Sequence, residues 1–278
     1  MTEAYDWAAS RGEKWRAQLT GMEGTLAPVD APLLRALRLE ASTRIAEVGC
    51  GGGGTALEIL RQAPAGSVVH GFDISPALVE VARARVPAGE RRIAFDVADV
   101  ARTTPETPYE RLVSRFGVMF FDDAPAAFTN LARWLAPGGR FAFAVWGPTP
   151  DNPWMTTVRD AVARIVEVPR SDPSAPGPFR YADPRVLLAL LEMAGLSELD
   201  VLDWRGALPI GGGRSPAEAA RFALSALASF AELLAGARED ALEEAHRALT
   251  TTFAEHVEGG TVRMGARVHL VSGVRPRA

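Results

Sequence analysis

Residues 45–54 read Ile-Ala-Glu-Val-Gly-Cys-Gly-Gly-Gly-Gly. An apolar strand-like run feeds a glycine-rich turn, and a helical pattern follows over residues 55–62. A helix that begins this way offers unpaired N–H groups and a partial positive charge to whatever lies in the turn. Glycine tolerates positive φ and lets a ligand approach the backbone closely. The stretch therefore predicts a nucleotide-type cofactor site near the start of an α/β sheet.

Two cofactor readings compete. Gly49, Gly51 and Gly54 satisfy G-x-G-x-x-G, the dinucleotide fingerprint, with Asp73 at the distance of a ribose-binding acid. Glu47, Gly49, Gly51 and Gly53 satisfy E/D-x-G-x-G-x-G. An acid two residues before the first glycine adds negative charge beside a pyrophosphate, which is unfavourable. It suits a cofactor that carries an ammonium and a sulfonium.

Strand and helix patterns alternate outward from this turn, with strands expected at residues 43–48, 67–72, 92–97, 109–115 and 140–146. Ser75-Pro76 predicts a helix start, with Ser75 as N-cap. Pro137-Gly138-Gly139 is expected to stop a helix over 124–135. The alternation predicts a parallel sheet with crossover helices. Beyond Trp146, helices are expected at 156–166, 184–194, 216–235 and 239–255, and strands at 198–204 and 261–271. The segments 147–182 and 205–256 exceed plain connections and read as helical lid insertions over the carboxyl edge of the sheet. Residues 1–40 read as an N-terminal helical segment and 41–278 as one elaborated domain.

Composition bounds the rest. The chain has 278 residues, 47% of them hydrophobic, enough for a sizeable core. A net charge of −4 argues against a nucleic-acid surface. The single cysteine, Cys50, precludes an internal disulfide, and no apolar run approaches a membrane span. The start of the chain lacks a signal-peptide layout, so a cytoplasmic protein without membrane or nucleic-acid partners is expected. Its oligomeric state stays open. His70, His246, His256 and His269 show no partner pattern, and no metal-ligand spacing is present.

Four ordered motifs carry a family resemblance: IAEVGCGGGG; VVHGFDISPALVEVARAR; FDVADV; and YERLVSRFGVMFFDDAPAAFTNLARWLAPGGRFAFAVW. Together they resemble class I S-adenosylmethionine (SAM)-dependent methyltransferases, in the ubiquinone/menaquinone-type branch (type 11). DNPWM and GPFRYADP are similar to segments of bacterial small-molecule members. Asn152-Pro153-Trp154 faintly resembles the N/D-P-P-Y motif of amino-methylating enzymes, but it follows the fifth strand rather than the fourth and has one proline. Glu47 stands where the family more often has Asp, and Gly52 where Thr is common.

The resemblance implies a Rossmann-like, seven-stranded, mostly parallel sheet with helices on both faces and an antiparallel last strand. It implies SAM as cofactor and a small-molecule acceptor, methylated on O, N or C. The Gly49–Cys50–Gly51 backbone, with Gly53, would meet the methionine part. Glu47 would orient the loop, or the ammonium through water. Asp73 would hold both ribose hydroxyls, Ile74 the adenine face, and Asp99 and the Val100 amide the adenine edge. Ser114, Arg115 and Phe116 would face the methyl group. No catalytic base is assigned. An NAD-type oxidoreductase and a non-catalytic SAM-binding protein stand as alternatives.

Overall fold

The computed structural model describes residues 7–169 and 172–277. Residues 1–6 of the expected N-terminal segment, residues 170–171 of the first insert, and residue 278 lie outside them.

The nucleating strand β1 (Arg44–Val48) is buried along Ile45, Ala46, Glu47 and Val48. Such two-sided burial belongs to the middle of a parallel sheet. β2 (Val68–Asp73) and β3 (Ile93–Val97) extend it on one side, and β4 (Tyr109–Arg115) and β5 (Leu135–Trp146) on the other, all parallel. β8 (Thr261–Val274) joins antiparallel to β5, and β6 (Ser197–Pro209) antiparallel to β8. The order is β3-β2-β1-β4-β5-β8-β6, with the short β7 (Val257–Glu258) forming a hairpin on β8. The seven-strand path with one antiparallel strand is the architecture the sequence implied.

Strand order reverses between β1 and β4, so their carboxyl ends open a crevice at the switch point. Helices α3 (Gly54–Gln62), α4 (Pro76–Ala84) and α5 (Ala124–Trp134) follow β1, β2 and β4, each burying one apolar stripe. In α3 that stripe is Thr55, Ala56, Ile59 and Leu60.

The N-terminal residues form α1 (Ser10–Leu26) and α2 (Asp30–Leu37). The Gly211 amide donates to Thr25 Oγ1 at 2.9 Å, and the Phe222 ring lies against Gly21, where a Cβ would have no room. The inserts form α6 (Pro153–Ala163), α8 (Pro216–Ala226), α9 (Ala228–Ala235) and α10 (Ala241–Ala254), and α7 (Pro184–Met193) lies between them in the chain.

Four expectations need correction. The helix expected over 216–235 breaks at Leu227, whose backbone (φ −96°, ψ 64°) is not helical. β6 runs five residues past Trp204 because β8 pairs with it as far as Pro209↔Arg263. β5 begins at Leu135, because residues 138 and 139 exchange backbone hydrogen bonds with Arg275 instead of leaving the sheet. Ser75 precedes α4, but its hydroxyl makes no capping bond. The Asp73 carboxylate binds the Ser75 amide at 2.9 Å instead.

Candidate functional site

The turn after β1 is built from left-handed glycines: Gly49 (φ +68°), Gly51 (+53°) and Gly53 (+82°). Only glycine adopts these angles without strain. The Gly49 and Cys50 amides both donate to the Phe72 carbonyl, at 2.8 and 3.0 Å. The Gly51 amide donates to Asp73 Oδ2 at 2.8 Å. The carboxylate of Asp73 thus clamps the turn to the β2–α4 junction with one N–H on each oxygen, leaving further lone pairs on both. No side chain caps the start of α3.

A second close approach closes the crevice. A Cβ on Gly49 would stand 3.0 Å from the Gly117 Cα, and one on Gly117 would stand 2.9 Å from the Val48 carbonyl oxygen. The turns after β1 and β4 touch backbone to backbone. Phe116, just before Gly117, is held at φ +66° and stacks on Trp146 with centroids 4.3 Å apart and planes 12° off parallel. A large side chain at positive φ is strain held by its surroundings, a pattern that clusters at functional sites.

These turns floor a cavity of about 430 Å³. Glu47, Gly49, Cys50, Gly51, Asp73, Ile74, Asp99, Val100, Arg115 and Phe116 all line it. Gly53 and Ser114 do not. Gly53 faces Phe95 and Ala82, so its role is the turn itself. Ser114 is fully buried; its hydroxyl donates to the Val48 carbonyl at 2.7 Å and accepts from the Gly117 amide at 3.2 Å. It braces the two turns and does not face the cavity.

The electrostatics of the cavity are lopsided. Glu23, Glu47, Asp73, Asp99, Asp122 and Asp123 line it, against two cations, Arg102 and Arg115. Arg115 Nη1 is paired with Asp30 at 3.1 Å, and Thr55 Oγ1 donates to the other Asp30 oxygen at 3.0 Å. Arg102 reaches Asp99 at 3.3 Å. Glu47 is 1% exposed and its Oε2 has no hydrogen-bond partner. Burial pushes its carboxyl well above the usual range, with Asp30 and Asp73 adding to the rise and Arg115 opposing it. Burial also raises Asp73 and Asp30 and pushes the Cys50 thiol up, which makes Cys50 a poor nucleophile. Ile74, 39% exposed, presents an apolar surface beside Asp73.

Residues beyond the sequence motifs complete the walls. α1 supplies Trp15, Leu19, Met22 and Glu23, and Trp7 packs edge-on against Trp15 and Phe120. The inserts contribute Trp154, Met155, Pro178, Ala226 and Leu227. Of the apolar stripe in the second insert, Leu227 reaches the cavity while Phe222, Leu224 and Leu234 are packed in the core. Leu19, Met22 and Glu23 carried no signal in sequence, since a helix packed over a ligand and one packed on a core share the same spacing. None of the four histidines lines the cavity. His70 bridges Tyr109 and Asp96, and His269 bridges Asp203 and the Ala182 carbonyl. Asn152 is consumed by the Gly147 and Pro148 carbonyls and the Arg267 amide. Among the described residues no three His, Cys, Asp or Glu side chains gather as a metal site, and no helix is long and apolar enough to cross a membrane.

Residues 45–139 match the model of a methyltransferase domain. The chain is 34% identical over 182 residues to a trans-aconitate 2-methyltransferase of Methylobacterium radiotolerans, covering 64% of this chain and 65% of that one. It spans less than two thirds of the trans-aconitate methyltransferases it matches. Among solved structures it is similar to the YcgJ protein of Bacillus subtilis (TM-score 0.57, 16% identity, covering 91% of this chain and all of that one). A phosphoethanolamine N-methyltransferase of Haemonchus contortus, solved with S-adenosyl-L-methionine, shares the fold at TM-score 0.53 and 15% identity over 90% of this chain and 53% of its own. The likeness to these solved structures shows a shared fold, and residues 45–139, which hold the glycine turn and the switch-point crevice, are the part that matches a methyltransferase domain.

Proposed function

We propose that the protein transfers a methyl group from SAM to a small-molecule acceptor. One observation carries the reading: the glycine turn opens into a cavity lined by six acids against two arginines, with Glu47 Oε2 buried and without a partner and with Arg115 paired to Asp30. A pyrophosphate would meet a repulsive field there, whereas an ammonium and a sulfonium would be attracted. The residues fit SAM. Glu47 would face the ammonium, directly or through water. Asp73 keeps lone pairs for both ribose hydroxyls, Ile74 offers a face for the adenine, and Asp99 and Val100 lie where its edge would end.

The cofactor supplies a methyl already activated on sulfur, so the chain's own work is alignment and exclusion of water. Phe116, locked by its strained backbone and its stack on Trp146, forms a rigid wall at the end of β4. The inserts at about 147–182 and 205–256 would serve as a lid, and Trp154, Met155, Pro178 and Leu227 from them line the cavity. Incubation with methyl-labelled SAM and a panel of apolar metabolites is expected to move label into a small-molecule product. Tight SAM binding with no transfer to any acceptor or cell extract would mark a binding protein instead.

A further inference from the structure

We propose that Arg85, which does not line the cavity, is a positioning residue that latches α1 over the glycine turn and thereby sets how fast the cofactor enters and leaves. The inference rests on the methyltransferase reading and adds to it the control of cofactor exchange.

α1 roofs the turn. Trp15, Leu19, Met22 and Glu23 from it line the cavity, and beneath them Cys50 is 5% exposed and Glu47 1%. The methionine end of the cofactor would lie under this roof, so α1 has to lift for it to pass. The fit is made by missing side chains. A Cβ on Gly12 would overlap Ser75 Oγ, and one on Gly52 would overlap Leu19 Cδ2. Gly52 stands where Thr is common in the family the chain resembles, and the seat of Leu19 gives that departure a reason. On the far side of the helix, a Cβ on Gly21 would stand 2.5 Å from the Phe222 ring and one on Gly24 2.7 Å from the Gly212 Cα, both in the second insert.

Little within α1 holds it in place. Gly12, Gly21 and Gly24 interrupt its 17 residues, and no side chain caps its start. Glycine weakens a helix interior, and an uncapped start leaves N–H groups unpaired. Docking contacts therefore decide whether the helix stays down. The contact at the cofactor end runs through one nitrogen. Arg85 directly follows α4, and its Nη1 donates to both Glu23 oxygens, at 2.7 and 2.8 Å, and to the Gly52 carbonyl at 2.8 Å. A single guanidinium nitrogen thus joins α1, the glycine turn and the end of α4. The Arg85 and Glu23 side chains are 30% and 22% exposed, so solvent and salt screen the pair less than a surface pair. Glu23 Oε1 also lies over the start of α3, 2.8 Å from where a Cβ on Gly54 would be. Lys14 pairs with Glu232 of the second insert, but both are exposed and such a pair holds little.

The test is stopped-flow mixing of the full chain with S-adenosylhomocysteine, read by tryptophan fluorescence, after an equilibrium titration with the same ligand. If that titration shows no binding, the methyltransferase reading itself falls, and this inference with it. In the wild-type protein the observed rate is expected to level off at high ligand, at the rate at which α1 lifts. Arg85→Met is expected to raise that ceiling and the dissociation rate together, each about tenfold, with the dissociation constant changed by less than about threefold. Gly52→Thr, which unseats Leu19 and leaves the ion pair in place, is expected to raise the same ceiling. A wild-type rate that climbs linearly with ligand throughout overturns the proposal without any variant needing to fold. So does an Arg85→Met chain with wild-type rates, or one in which dissociation alone quickens, since Arg85 would then shape the site without gating it.

Discussion

Asp73→Ala separates a loop brace from a cofactor contact. In the structure Asp73 is 9% exposed and accepts one amide on each oxygen, from Gly51 at 2.8 Å and Ser75 at 2.9 Å. Removing the acceptor leaves both donors unpaired. Ser75 is buried, so its orphaned N–H costs about 1–3 kcal/mol, while the half-buried Gly51 amide can recruit water and costs less. The raised carboxyl shows that desolvation already offsets part of what these bonds contribute. A net loss of about 1–3 kcal/mol follows, read as a drop of roughly 2–4 °C in Tm per kcal/mol for a chain of this size. The ribose contacts add a separate effect. Loss of two charge-assisted bonds should weaken SAM at least tenfold, equivalent to about 1.4 kcal/mol or more. Thermal unfolding reads the first effect and calorimetric titration the second. A variant that loses stability yet binds SAM with wild-type affinity would reduce Asp73 to a brace and refute the ribose assignment.

Three further perturbations follow. Glu47 has a folded-state pKa raised above its unfolded value, so its contribution to stability is fully present below the unfolded value and is lost as pH rises through the folded one; Glu47→Gln should therefore raise Tm near neutral pH, leave it little changed near pH 4, and weaken SAM binding, and a lowered Tm at neutral pH would contradict this. Gly117→Ala places a Cβ 2.9 Å from both Ser114 Oγ and the Val48 carbonyl oxygen, and chemical denaturation should show a loss of about 1–3 kcal/mol with SAM affinity also reduced. Asp30→Ala strands the buried Arg115 guanidinium, and denaturation should show a loss of about 3–5 kcal/mol; a change below 1 kcal/mol would mean that water or another acid takes over the pair.

Much of the core was legible because its signals are local. β4 stands at the residues expected, and α5 begins at Ala124 as expected, with Asp123 Oδ1 accepting from the Ala126 amide at 3.0 Å. The cofactor turn was equally plain, since four glycines after a buried strand leave few alternatives. What local pattern could not show was pairing at a distance. Asp30 meets Arg115 across 85 residues, and no periodicity in α1 reveals that it walls a cavity. Pro137-Gly138-Gly139 reads as a breaker, yet Arg275 binds residues 138 and 139 into the sheet. The break at Leu227 carries no glycine or proline to announce it. The family resemblance implies a methyl-facing Ser114; its hydroxyl turns to the neighbouring turn because a buried hydroxyl there has two backbone partners within reach.

The most direct test of the central claim, that an acid-lined glycine turn receives a cationic methyl donor, is calorimetric titration of the wild-type chain with SAM and with NAD⁺, each repeated at acid and neutral pH. The account predicts one-to-one binding of SAM that is weaker at acid pH, where carboxyls lining the cavity are protonated, and no binding of NAD⁺. Saturable binding of NAD⁺ with none of SAM would contradict it.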